Sequence, residues 1–231
     1  MKIIYSFDTQ QGKVLPGTFY VKMAELSVFS AKQTGLPVEL YTDFAGAVFF
    51  RNAKFQFDAI HVVNFKQFEY NSAYWNFGKL YTYSLQDAPF LHIDFDVYLH
   101  PGFTIPENCD IITEMLRNYT YVQAFKDISI FKVNQIPEKL ICSGLLGGYN
   151  PAPFKELFDF AKKICKKNIK EEKAMSYLVG VEEFNLSVLA AFYDYKVCEL
   201  DRNYFSHFQG ENKQQRFGKI IDQLYSNIIK K

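Results

Sequence analysis

The sequence lacks most of the features that would tie it to nucleic acid, to a bilayer or to a disulfide scaffold. Its 26 basic residues face 25 acidic ones, for a net charge of +1. A nucleic-acid partner usually demands a basic excess or stripe, so that class is set aside. No stretch approaches the ~20 apolar residues of a membrane span, which leaves at most peripheral contact through the short basic end near Lys230-Lys231. The four cysteines, at 109, 142, 165 and 198, show no C-x-x-C spacing. They read as reduced, mostly buried thiols of a cytoplasmic protein. The opening residues read as a buried strand rather than a secretory signal. There is no internal repeat, linker or low-complexity tract, so a single domain over residues 1–231 is the economical expectation.

What the chain has in abundance is aromatic residues. It holds 24 Phe and 16 Tyr, and 48% of its residues are hydrophobic. That is ample for a large core, and most of the rings are expected to be core because aromatic side chains bury large apolar areas. Tyr74, Trp75 and Tyr149 are the candidates for stacking against a ligand. The run Lys162-Lys163, Lys166-Lys167 and Lys170, beside Glu171-Glu172, has the spacing of the wet face of a helix.

Strands and helices alternate through the first hundred residues. Lys2 to Phe7 is an apolar strand ending at Asp8, with a polar Gln-Gln-Gly stretch beyond it. Thr18 to Gln33 has helical periodicity, with Phe19, Met23, Leu26 and the Phe29-Ser30 pair on one stripe, and Gly35 and Pro37 stop it. Strands are expected at Val38–Tyr41 and Ala59–Val63, a helix over 72–86, and a strand over Phe90–Leu99. The alternation predicts an α/β fold, a Rossmann-like, mainly parallel sheet with helices on both faces. Ligands bind such sheets at the carboxyl ends of strands, where Asp8, Asp43, Asp94 and Asp96 fall. The second half is less regular: Ile111–Leu116 and Tyr121–Phe125 fit strand or helix, and 139–149 holds a glycine-rich turn. Helices are expected at Pro151–Lys167 and Glu182–Phe192, a last strand or extended segment at Cys198–Phe205, and a polar loop over 206–216.

The segment Phe90 to His100 alternates strictly. Leu91, Ile93, Phe95, Val97 and Leu99 share one parity; His92, Asp94, Asp96, Tyr98 and His100 share the other. Two carboxylates on one face of an apolar strand are costly without a partner, and a divalent cation neutralises both. Oxygen ligands of this type suit Mn²⁺ or Mg²⁺, which in turn hold a diphosphate. The plain alternative is an edge strand whose polar face is wet. A second constellation is His207-Phe-Gln-Gly-Glu-Asn-Lys213. His207 offers a metal-ligating nitrogen, Gly210 a tight turn, and Lys213 a mobile ammonium for phosphate. Read alone, it is also an ordinary surface loop.

Together, Asp94-Phe95-Asp96 and the H-x-x-G-x-x-K pattern of His207, Gly210 and Lys213 resemble the retaining glycosyltransferases that include glycogenin and the bacterial lipopolysaccharide galactosyl- and glucosyltransferases. The resemblance implies the GT-A fold and transfer from a nucleotide diphosphate sugar, a UDP-sugar above all. It implies that Asp94, Asp96 and His207 ligate Mn²⁺ and that Lys213 holds the β-phosphate. Asp8 resembles the nucleotide-binding start of the family, and Lys79 a basic residue near the donor. Ser143-Gly144-Leu145 resembles the N-A-G segment that meets the donor sugar, and Glu182-Glu183 an acidic pair near the reacting carbon, usually D-Q. Departures are the Gln214-Gln215 that stands where Pro-Trp is usual, Cys142-Ser143 in place of the Asn, and the E-E pair itself.

The expected partners are a nucleotide-sugar donor and a saccharide or glycolipid acceptor, in polysaccharide biosynthesis. Glu182 or Glu183 stabilises an oxocarbenium-like carbon, or acts as a base if the reaction inverts. Both also suit a helix N-terminus through the macrodipole alone. A non-catalytic nucleotide-sugar binding or scaffolding protein of the same fold is the alternative. A D-x-D-x-T phosphatase is disfavoured because Tyr98 stands where Thr is needed.

Overall fold

The computed structural model describes residues 1–9, 17–68, 70, 74, 76–118, 125, 129–131, 137–166, 180–210 and 212–228. Outside them lie Trp75, the polar stretch at 10–12, the segment 121–124, and Lys167, Lys170, Glu171 and Glu172 of the charged run. The chain forms two compact units: an N-terminal unit of Lys2–Val63, Ile93–Ile105 and Asp201–Lys231, and a central unit of Asn64–His92 and Pro106–Leu200 together with Met1.

In the N-terminal unit, β1 (Lys2–Phe7) pairs in parallel with β2 (Val38–Thr42), in the register Ile3↔Val38 to Phe7↔Thr42, and β2 pairs in parallel with β3 (Ala59–Val62). Ile3, Ile4 and Tyr5 are wholly buried, as the interior of a parallel sheet requires. The helix α1 (Gly17–Lys32) links β1 to β2 and buries Phe19, Met23, Leu26 and Ser30, and it stops where Gly35 takes the left-handed conformation. After β2, Asp43 caps α2 (Phe44–Asn52), accepting from the Gly46 N–H at 2.8 Å. Asp43 also accepts from the Thr9 N–H at 3.0 Å, so this carboxylate holds backbone together.

The segment Phe90–Leu99 is not one strand. β4 (Phe90–Ile93) stops before Asp94, a tight turn follows, and β5 (Val97–Leu99) starts afresh. The strict alternation of the strand is therefore broken at the acidic pair. The Val97 N–H turns back to the Asp94 carbonyl at 3.1 Å, and Phe95 leaves the strand line to stack on Phe50, ring centroids 5.4 Å apart.

In the central unit a 3₁₀ turn at Phe65–Gln67 precedes α3 (Phe77–Ser84), which is shorter than the expected 72–86. β6 (Ile111–Thr113) and β7 (Leu116–Arg117) follow, with β7 antiparallel to β8 (Leu140–Ile141) and β6 antiparallel to β9 (Leu145–Gly148). α4 (Ala152–Ile164) buries Phe154, Leu157, Phe158, Ala161 and Ile164 at helical spacing. A single π-helical turn, Gly180–Phe184, leads into α5 (Asn185–Phe192), and β10 (Val197–Glu199) runs parallel to β6. Gly147 is required by packing, since a Cβ there would sit 2.0 Å from the Phe90 carbonyl oxygen.

Two elements complete the N-terminal unit. β11 (Phe205–His207) pairs antiparallel with β5, and α6 (Lys213–Ile228) lays Phe217, Ile221 and Leu224 against Phe19, Met23 and Leu26 of α1. The expected strand 198–205 is thus split between β10 and β11 by a 3₁₀ turn at Arg202–Tyr204, and the expected loop 206–216 is cut short because Lys213 opens α6. The class is α/β with a mostly parallel sheet, as the alternation predicts.

The four cysteines are not all the reduced thiols that their spacing suggests. Cys109 and Cys198 form a disulfide, with Cα atoms 5.9 Å apart, and only Cys142 and Cys165 are free, buried thiols. Sequence spacing hid the pair because 89 residues separate its members, and β10 running beside β6 brings them together. A cytoplasmic location loses the support that four reduced thiols lent it. Among the described residues, no helix is long and apolar enough to cross a membrane.

Candidate functional site

Asp94, Asp96 and His207 converge in the N-terminal unit, each offering one ligand atom, and these atoms lie within 4.8 Å of one another. Three local devices bring them there. β4 ends at Ile93, which puts both acids in a turn at a strand's carboxyl end. The β5–β11 pairing sets His207 opposite Val97, the residue after Asp96. The Phe208 N–H then donates to the Asp96 carbonyl at 2.8 Å and locks the register.

Asp96 is the most constrained of the three. It is 9% exposed, with His207 Nε2 at 3.4 Å from Oδ1 and the Lys213 ammonium ion-paired to Oδ2. Burial alone pushes its carboxyl upward, but the hydrogen bond and charge of His207, with the Lys213 ammonium, hold it well below the usual carboxylate range. The chain reverses between His207 and Lys213 at Gly210, whose φ of +102° favours glycine. Lys213 then begins α6, so its ammonium is carried at a helix start rather than on a free loop. Asp8 directly follows β1, buried at 6% exposure, and is not one of the three clustered ligands.

The central unit holds a second polar cluster, built from the other residues singled out in the sequence. Lys79 of α3 donates to the Ser143 carbonyl at 2.7 Å and lies 3.4 Å from Glu182 Oε1. Glu182 also accepts from Asn76 Nδ2 at 3.2 Å and from the Tyr83 hydroxyl at 3.1 Å. Glu183 accepts from both the N–H and the hydroxyl of Ser143, each at 3.2 Å. Both carboxylates sit on the π-helical turn, and they reach different partners, Glu182 the residues of α3 and its cap and Glu183 Ser143. Gly144 is buried in the bend before β9. Below the cluster, burial, with the nearby charges of Glu183 and Glu114, pushes the Cys142 thiol up. Burial, with the charge of Lys79, drives the pKa of His92 well down.

Asn76 and Tyr83 were missed by sequence reasoning. Tyr83 stands four residues after Lys79, on the same helical face, and that spacing is the signal that points to it. Of the stacking candidates, Tyr74 is fully buried and belongs to the core, Tyr149 is 37% exposed, and Trp75 lies outside the described residues.

Solved structures similar to this chain include glycosyltransferases and nucleotidyltransferases. Mouse xyloside xylosyltransferase 1 in its apo form is 9% identical, with 97% of this chain and 93% of that one covered and a TM-score of 0.44. The inositol-1-phosphate CTP transferase from T. maritima is 12% identical over 98% and 96% of the two chains, at 0.49. The CTP:phosphocholine cytidylyltransferase from Streptococcus pneumoniae is 16% identical over 95% and 98%, at 0.46. No curated protein matches the sequence. A family model does match, over residues 1–225, and the chain accordingly belongs to the family of unknown function DUF6734.

Proposed function

We propose that this protein is a metal-dependent glycosyltransferase that takes a sugar from a nucleotide diphosphate sugar, a UDP-sugar by the motif resemblance, and passes it to a saccharide or glycolipid acceptor. The observation that carries the reading is the convergence of Asp94, Asp96 and His207 beside Lys213. Two carboxylate oxygens and an imidazole nitrogen form a donor set that fits Mn²⁺ or Mg²⁺. Bound there, the cation supplies charge stabilisation to the departing diphosphate.

The chain's own residues supply the rest. Asp94, Asp96 and His207 hold the cation, and Lys213 exchanges its contact with Asp96 for the β-phosphate. Gly210 lets the backbone turn over the diphosphate, while Asp8 directly follows the first strand on the nucleotide side. In the central unit, Ser143 and Gly144 take the sugar, and Lys79 offsets the negative charge of Glu182. Glu182 and Glu183 are the carboxylates proposed to act at the reacting carbon, in a retaining reaction by the same resemblance.

The non-catalytic reading has one observation in its favour. Both glutamates are already engaged by Asn76, Tyr83, Lys79 and Ser143, a pattern that also suits a purely structural cluster. Thermal stabilisation by UDP, GDP, CMP and ADP, with and without Mn²⁺, tests binding, because a ligand of the native state raises stability by mass action. A shift for one nucleoside diphosphate that requires Mn²⁺ supports the site, and no shift with any of them removes it. Release of sugar or nucleoside diphosphate from the matching donor then separates an enzyme from a binding protein.

A further inference from the structure

The central unit carries a cavity of about 760 Å³ that none of the chemistry above uses. Its wall includes Lys162, Lys163 and Lys166, and its other lining residues are Gln67, Phe68, Phe77 and Asp159. The volume suits a small organic ligand, since such sites span roughly 300–1,000 Å³. The floor is aromatic: Phe77 is 1% exposed, and its ring lies 5.4 Å from that of Phe158, which in turn stands 5.3 Å from that of Phe68.

The charge on this wall is one-sided. Lys166 lies in the turn just after α4, four residues after Lys162 and three after Lys163, and all three like charges line the same cavity. Asp159 answers only Lys162, at 2.6 Å, and the Lys162 ammonium also lies 5.3 Å from the Phe158 ring centroid. Lys163 and Lys166 are exposed and have no ion-pair partner among the described residues. Lysines near a helix carboxyl end complement its dipole, which accounts for positive charge there. That account does not explain why all three line one concavity with a buried phenyl ring in its floor.

We propose that this cavity binds a small phosphorylated ligand, its anionic group on Lys163 and Lys166 and an apolar or ring portion against Phe68, which the buried Phe77 backs. Lysine ammoniums bind phosphate as mobile point charges. The partly exposed ring of Phe68 selects against bare inorganic phosphate, which would leave that surface in contact with water. A soluble phosphorylated metabolite and a phospholipid headgroup share this chemistry.

The test is calorimetric titration of the full chain with 1-naphthyl phosphate, with 1-naphthol and inorganic phosphate as controls. Flotation with phosphatidylglycerol vesicles, against phosphatidylcholine vesicles, separates the two sources. The expected result is binding of 1-naphthyl phosphate at least tenfold tighter than either control, weakened at least tenfold in Lys163→Glu/Lys166→Glu and by added salt. Flotation with phosphatidylglycerol alone, lost in the same variant, assigns the headgroup as the source. Both lysines are exposed, so the variant is expected to fold; should its melting differ from the parent, Lys163→Gln/Lys166→Gln takes its place. Absence of 1-naphthyl phosphate binding at millimolar concentration, or binding that the substitutions leave unchanged, overturns the proposal. Mn²⁺-dependent nucleotide binding is expected to be the same in all variants, so this result and that of the proposed activity are read separately.

Discussion

The ammonium of Lys213 is ion-paired with the carboxylate of Asp96, a residue 117 positions earlier in the chain. One side chain thus touches the group proposed to hold a cation while carrying the charge proposed to hold a phosphate. Asp96→Asn keeps the shape of the side chain and removes its charge. We expect the variant to stay folded and to lose Mn²⁺-dependent stabilisation by nucleoside diphosphate, with Mn²⁺ affinity reduced at least tenfold. Titration of Mn²⁺ by electron paramagnetic resonance checks this, and parental affinity in the variant would take Asp96 out of the metal set.

Lys213→Ala should act in two directions. Without nucleotide, the cation no longer competes with an ammonium for Asp96, so Mn²⁺ alone should bind as tightly as in the parent or more tightly. With nucleotide, a charge-assisted contact to phosphate is lost, a loss of about 1.5–3 kcal/mol or roughly tenfold or more in affinity. UDP should therefore weaken far more than UMP in side-by-side titrations. Equal loss for the two nucleotides would leave Lys213 as a partner of Asp96 and nothing else.

Much of this arrangement was legible in the sequence, and the parts that were not share a physical reason. β1, α1, β2 and α4 follow directly from apolar runs and helical spacing, because each element buries a face set by its own period. Asp94, Asp96 and His207 were recognisable as ligand types, and the structure brings all three together. Their setting was misread: strict alternation from Leu91 to Leu99 hides the turn at 94–96, which depends on Phe95 finding a place against Phe50. The pairing of Cys109 with Cys198 was hidden as well, since it depends on two strands distant in sequence lying side by side. The partners of Glu182 are likewise tertiary, as Asn76 and Tyr83 lie about a hundred residues upstream.

That disulfide gives a stability prediction. Closing a loop of 89 residues restricts the unfolded chain, a contribution of typically 2–4 kcal/mol. Cys109→Ser/Cys198→Ser, or the parent in strong reductant, should melt at least about 5 °C lower, on a scale of ~2–4 °C per kcal/mol for a chain of this size. Calorimetry in oxidising and reducing buffer measures the difference, and coincident melting curves would show that the bond contributes nothing.

We expect His92 to contribute to the acid limb of stability. It is wholly buried, and burial with the charge of Lys79 puts its folded-state value well below that of an exposed imidazole. A free imidazole in the unfolded chain takes up its proton near pH 6.5, so the unfolded state binds more protons below that point. The contribution is therefore fully present above about pH 6.5 and is lost as the pH falls toward the folded-state value. Its slope approaches 1.4 kcal/mol per pH unit for one proton. Asp96 acts in the same direction but in a lower window, because its carboxyl is also depressed and its unfolded reference is near pH 3.9. Chemical denaturation from pH 7.5 to 4.5 should accordingly show a slope that His92→Phe removes, even though that substitution shifts the overall stability. A slope of unchanged steepness in the variant would place the acid sensitivity on another group.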